Sequence, residues 1–288
     1  MRISFLIICF GILFKGPASS HPNRADSISE GKVAVNFFVV SKPKKLFDPG
    51  TFFNIARAKR NQALHGGKFI CIVASSTEQM VSKMEAMLRR KNAVINSLWF
   101  DSHGHYNKGY SLFEIGRDEF SHKNINDTGN KKMFAVLTSY CTASTKIGIG
   151  SCYGGATYSR PASNSFTHSR MNGDSLMIGL ANVFYGATIY ACESWVMTKP
   201  GLFKEKFAMA GYPLRRKFRD VVFDPVWDRF GKWNSYNSGS GQFQPVNCII
   251  LTKHGEIKIR FNDYQSLQKV KKQIDKNKKR LKENLLRA

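Results

Sequence analysis

Residues 33 to 102 carry one alternation that leaves few folds open. Val33 to Val40 is an apolar run dominated by Val and Phe, the composition of a strand covered on both faces. Thr51 to Leu64 follows as a helical stretch, with Asp48 or Thr51 as cap candidates and Gly66-Gly67 as its stop. Lys68 to Ala74 is a second apolar run. Thr77 to Lys91 is a second helix, in which Met80, Met84, Met87 and Leu88 recur at helical spacing and mark the face turned to a sheet. Ala93 to Ser102 is a third run. Strand, helix, strand, helix, strand requires a parallel α/β sheet. The pattern continues with a helix over Met133 to Ser144, a strand over Thr145 to Ser151, a helix over Asp174 to Tyr185 and a strand over Ala187 to Cys192. Val246 to Thr252 and Glu256 to Phe261 read as two further strands about the turn Lys253-His254-Gly255, whereas residues 201 to 245 carry no clear pattern. The expected fold is α/β, a mostly parallel sheet of about five or six strands with helices on both faces.

Parallel strands bring their C-terminal ends to one edge, where sites form in open α/β sheets. The third strand, within Ser97-Leu98-Trp99-Phe100-Asp101-Ser102-His103-Gly104-His105, delivers His103 to that edge. The fourth delivers Cys152 into a Gly-rich turn, Gly148-Ile149-Gly150-Ser151-Cys152-Tyr153-Gly154-Gly155. Side by side, they set an imidazole near a sulfur, the arrangement that thiolate nucleophiles need. A thiol of pKa near 8.5 is mostly protonated at neutral pH, so His103 is the expected base and the later proton donor. Cys152 also fits a packing role, and the four glycines around it argue instead for an open turn. No third residue follows from the sequence, and Asp101 is read as turned to the other face of the strand. His103-x-His105 begins a zinc-hydrolase pattern, but Asn107 and Lys108 stand where Asp and His are needed, and no Cys-x-x-Cys pair exists. No metal and no cofactor are expected.

His103-Gly104 and Gly150-Ser151-Cys152-Tyr153-Gly154 lie 49 residues apart from His to Cys, and a helix from Gly173-Asp174-Ser175-Leu176 leads to Gly186-Ala187-Thr188-Ile189-Tyr190-Ala191-Cys192-Glu193-Ser194-Trp195. With these motifs the chain resembles the caspase-like cysteine peptidase clan, in which that interval is roughly 50, and within it the CHAT branch. The full Gln-Ala-Cys-x-Gly motif is present only in part. The resemblance covers roughly residues 33 to 200. It implies a three-layer sandwich with a small hairpin after the His-Gly pair, expected over Gly109 to Gly116. It implies a cysteine endopeptidase with a His103–Cys152 dyad, an oxyanion hole from the Gly104 and Cys152 amides, and a peptide or protein substrate. Glu193, Ser194 and Trp195 would line the cleft, with Glu193 favouring a basic residue before the scissile bond. Tyr190-Ala191-Cys192-Glu193-Ser194 also looks like a legumain stretch, but 89 residues separate His103 from Cys192, too many for that family. The reading from another class is a catalytically inactive binding domain on the same fold.

The chain carries 44 Lys and Arg against 20 Asp and Glu, a net charge of +24. Such a surface attracts acidic partners, including an anionic membrane, but no aromatic-plus-basic motif points to specific nucleic-acid binding. Residues 1–20, a basic start, an apolar run and small residues, have the layout of a secretory signal peptide, so a secreted or periplasmic location is expected. Residues 21–32 read as a flexible leader, 33–262 as the peptidase domain and 263–288 as a basic C-terminal helix with Leu267, Val270, Ile274 and Leu281 on one face. Asn126-Asp127-Thr128 is a glycosylation sequon. Five of the six cysteines follow the leader, Cys71, Cys141, Cys152, Cys192 and Cys248; an odd count leaves one thiol over, with Cys152 the candidate.

Overall fold

The computed structural model describes residues 31–43, 48–104, 109–157, 159–160, 169–193, 206–210, 233–246 and 249–259, with positions 196, 272, 276, 279 and 283. The elements are, in order, β1 (Val33–Ser41), α1 (Pro49–His65), β2 (Phe69–Ala74), α2 (Thr77–Lys91), β3 (Ala93–Asp101), β4 (Leu112–Ile115), β5 (Asp118–Ser121), α3 (Thr128–Thr138), β6 (Cys141–Ile149), β7 (Ser159–Arg160), β8 (Ser169–Arg170), α4 (Gly173–Val183), β9 (Thr188–Cys192), β10 (Lys206–Ala210), β11 (Trp233–Asn237), β12 (Gln242–Val246), β13 (Ile249–Thr252) and β14 (Ile257–Ile259). The central sheet has seven strands in the order β12-β11-β9-β6-β3-β1-β2. The five from β9 to β2 are parallel, and β11 and β12 close the edge as an antiparallel hairpin.

The fold is the expected α/β sheet, with seven strands instead of five or six. The extra pair comes from the stretch that carried no pattern. β11 (Trp-Asn-Ser-Tyr-Asn) and β12 (Gln-Phe-Gln-Pro-Val) mix polar and apolar residues at a sheet edge, so they lack the continuous apolar run of a central strand. α2 has the expected bounds, with Ser76 capping its first turn through the Gln79 amide. α3 starts and ends earlier than expected, because Cys141 already begins β6 and the polar Thr142 to Ser144 form the exposed start of that strand. The hairpin after His103 is displaced from 109–116 to Leu112–Ser121, turning at Gly116, whose φ of +60° suits glycine.

Side chains alternate between two cores. On one face Phe37, Val39, Leu98, Phe100, Ile147, Ile149 and Ile189 pack under α2, α3 and α4. On the other, Phe38, Val40, Trp99, Tyr190 and Trp233 meet Ala58 of α1 and Ile249, Leu251 and Ile257 of the small β10–β13–β14 sheet. The result is three layers. At the C-terminus, Lys272, Lys276, Lys279 and Glu283 are helical and exposed; Leu267, Val270, Ile274 and Leu281 lie outside the described residues, as do the first 30 residues. Among the described residues no helix is long and apolar enough to cross a membrane.

Candidate functional site

β1, β3, β6 and β9 are mutually parallel, so all four end on one edge. Phe100 of β3 pairs with Ile149 of β6, and Gly150 donates its amide to the Phe100 carbonyl at 2.7 Å. Three residues further along each chain stand His103 and Cys152. The two segments touch just there: a β-carbon at Gly104 would run into the Cys152 backbone. Gly104 is therefore demanded by a close backbone approach. Gly148 and Gly150 also have a packing cause, since a side chain at either would collide with the Trp99 indole. Their presence beside Cys152 is thus explained without an open turn.

The His103 ring is held by a residue the sequence offered only as a helix cap. Nε2 of His103 lies 2.6 Å from Oδ2 of Asp48, with the histidine side chain 60% exposed and the aspartate 17%. Asp48 caps α1: Oδ1 accepts the Thr51 amide at 3.2 Å, and Oδ2 accepts the Thr51 hydroxyl at 2.7 Å. Burial pushes the Asp48 carboxyl up, but the Thr51 and His103 hydrogen bonds outweigh it and hold the group below its ordinary value of 3.8. Pro49 at the next position presets the helical φ, so cap and imidazole anchor come from one local motif.

Asp101 is not turned away from this group. It lies two residues from both Trp99 and His103, the spacing of a shared face, and its Oδ2 accepts from Asn54 Nδ2 of α1 at 3.0 Å. Burial pushes its carboxyl up to about 6, against Asn54, Trp99 and His103, which favour the charged form; Asp48 pushes it further up.

The Cys152 turn is pinned from the hairpin side. Ser151 donates to the Leu112 carbonyl at 2.6 Å, and Ser111 donates to the carbonyls of Tyr153 at 2.9 Å and Ala156 at 3.0 Å. Ser102 accepts the Glu114 amide at 3.0 Å. Three serines thus fasten the hairpin to the ends of β3 and β6. Tyr153, buried, holds φ at +62°, a conformation that costs a non-glycine residue roughly 1 kcal/mol or more. The Cys152 sulfur accepts the Val196 amide at 3.5 Å and lies 3.8 Å from the Val196 carbonyl.

No disulfide joins any two of Cys71, Cys141, Cys152 and Cys192. Cys192 is wholly buried in the core, Cys141 is 8% exposed, and burial pushes the Cys71 thiol up to about 12. Glu193 accepts from Asn234 Nδ2 of β11 at 2.9 Å, a contact set by the edge hairpin. Ser194, Trp195, His105 and Cys248 lie outside the described residues. Among the described residues no group of three or more His, Cys, Asp or Glu could hold a metal ion.

Fold and edge together define a three-layer α/β protein with histidine, aspartate and cysteine gathered at the C-terminal ends of adjacent parallel strands. No protein-family model matches the chain, and no curated protein matches it in sequence.

Proposed function

We propose that the chain is a caspase-like cysteine endopeptidase, with Cys152 as nucleophile and His103 as base. The observation that carries this reading is the Asp48–His103 hydrogen bond beside the point where Gly104 and Cys152 touch. In this reading Asp48 holds the ring by Nε2, and Nδ1 takes the proton from the Cys152 thiol. The thiolate attacks the scissile carbonyl, and the amides of Gly104 and Cys152 hold the resulting oxyanion. The carbon–nitrogen bond then breaks, the imidazolium proton leaves with the amine, and water hydrolyses the thioester. Asp48 stabilises the imidazolium by its charge and fixes the ring orientation. Preference for Arg or Lys before the scissile bond rests on the Glu193 carboxylate, which Asn234 anchors at the end of β9.

One observation favours the second reading, a non-catalytic interaction domain. The Cys152 sulfur is engaged by both the amide and the carbonyl of Val196, the contacts of a cysteine held by packing. A single experiment separates the two. A peptide library is incubated with the wild-type protein and with Cys152→Ala, and a thiol-reactive probe is applied to both. Cleavage and labelling lost together in the variant support the peptidase. Cleavage that survives in Cys152→Ala sinks the assignment, and absence of both in wild type supports the interaction domain.

Export belongs to the same reading and rests on residues 1–20. N-terminal sequencing of the protein from its producing cells is expected to find a start near Ser19 or His21; a retained Met1 on a cytoplasmic protein would refute it.

A further inference from the structure

Away from the strand ends, β9, β11 and β12 run together on the α1-side face of the sheet. A cavity of about 380 Å³ opens there, within the range of roughly 300–1,000 Å³ in which small ligands are held. Its floor is made by alternate residues of three strands: Thr188 and Tyr190 of β9, Ser235 and Asn237 of β11, Gln242 and Gln244 of β12. Every polar group in this floor is a neutral hydroxyl or amide. No charged residue lines the cavity among the described residues, although the chain holds 44 Lys and Arg. Lys146, paired with Thr188 across the sheet, turns its ammonium to the Ile257 carbonyl at 3.3 Å instead.

These groups are not equally occupied. Asn237 is spent on the fold: its Nδ2 reaches the Gly186 carbonyl and the Thr188 hydroxyl, and its Oδ1 takes the amides of Gly239 and Ser240. Tyr190 is different. It is 6% exposed overall and lines the cavity; its hydroxyl has no hydrogen-bond partner among the described residues and is open to the cavity rather than sealed in the core. Burial alone pushes that hydroxyl up from its ordinary value, with no neighbouring group acting on it. The Gln242 and Gln244 amides line the same cavity from β12, one strand beyond β11, each offering two donors and an acceptor.

We propose that this cavity binds a neutral saccharide unit. Sugar hydroxyls are both donors and acceptors, and they match a set of amides and hydroxyls that can also do either. A charged ligand would need a counter-charge that the lining does not supply. The backbone groups of β9 and β11 are consumed in the ladder, so on the cavity floor the side chains are the recognition surface; an extended peptide would pair along the outer edge of β12 rather than lie across this floor. The apolar remainder, Pro245, Val246 and Ile259, suits the CH face of a pyranose ring. Tyr190 would contribute one hydrogen bond from β9, Gln242 and Gln244 others from β12.

Saturation-transfer NMR on the full chain tests this, with glucose, mannose, galactose and N-acetylglucosamine, their neutral disaccharides, and a heparin oligosaccharide as the acidic control. At least one neutral sugar is expected to show transfer, with affinity weakened about tenfold in Tyr190→Phe or in Gln244→Ala, the equivalent of one hydrogen bond. Tyr190→Phe deletes only a hydroxyl without an internal partner, so its melting temperature should match wild type; Gln244 is exposed, so its replacement gives a second folded variant. Transfer from no neutral sugar overturns the proposal. So does transfer unchanged in both variants, or transfer from the heparin oligosaccharide alone, which reports the basic surface. Peptide cleavage depends on Cys152 and is read separately, so either result can fail without the other.

Discussion

Asp48 does two jobs with one carboxylate, and a substitution can divide them. Asn is as good a helix cap as Asp, so Asp48→Asn should leave thermal unfolding nearly unchanged. It removes the negative charge from His103 Nε2. If the peptidase reading holds, kcat should fall about a hundredfold, the low end of the span ascribed to general acid–base groups, and the pH–rate profile should shift while KM stays similar. Loss of stability with intact kcat would make Asp48 a cap alone. Asp101 gives a pH prediction with the opposite sign from an ordinary carboxylate. Its folded pKa is raised, from 3.8 to about 6. The folded state therefore binds the proton more tightly, and the stability this contributes is present below 3.8 and lost as pH rises through about 6. The gap is worth roughly 3 kcal/mol at full ionisation. Asp101→Asn should remove the fall in stability between about pH 4 and pH 6, measured by urea unfolding at a series of pH values. A wild-type protein equally stable at both would show that the buried charge is compensated. Among the described thiols, Cys152 should be the first alkylated, because Cys141 and Cys192 are buried and burial pushes Cys71 up to about 12. Mass spectrometry of partly alkylated protein reads the order directly.

At the scale of elements, the β4–β5 hairpin acts as a brace for the ends of β3 and β6. Ser151 is fully buried, and its hydroxyl satisfies the Leu112 carbonyl. Ser151→Ala should cost about 1–3 kcal/mol, the penalty for leaving a buried carbonyl short of a donor, read by denaturant unfolding. Trp99 sets a second constraint. It occupies the space above Gly148 and packs tilted against Trp233, ring centroids 6.0 Å apart, joining the central strands to the edge hairpin. Gly148→Ala should displace the indole and destabilise by roughly 1–3 kcal/mol, as overpacked cores do. The periodicities that place α1, α2 and the first three strands are local, and so were legible in the chain. The brace was not: serine hydroxyls fit loops, caps and turns alike, and only the meeting of the hairpin with two strand ends shows which carbonyls they satisfy. The glycines around Cys152 were misleading for a related reason, because a glycine marks a close approach without naming what approaches.

At the scale of the whole molecule, an excess of 24 positive charges is carried by a fold whose described cavity on the sheet face has no charged lining. Basic surface and binding floor are thus separate features. Contact with anionic vesicles, if made through that surface, should weaken steeply between low and physiological salt, because exposed charges are screened beyond roughly 10 Å; co-sedimentation at two ionic strengths measures it. What the sequence determined by itself is the order of the five parallel strands and four helices through β9, and the delivery of His103 and Cys152 to the ends of two of those strands. Apolar runs, helical spacing and chain length suffice for that, since each is a property of consecutive residues. What tertiary structure alone decided is the company those residues keep. Asp48 meets His103 across 55 positions of chain, Asn234 meets Glu193 across 41, and three strand faces converge under Tyr190. Such pairings depend on where loops return the chain and on which side of the sheet each element packs, and no local pattern of residue types encodes that.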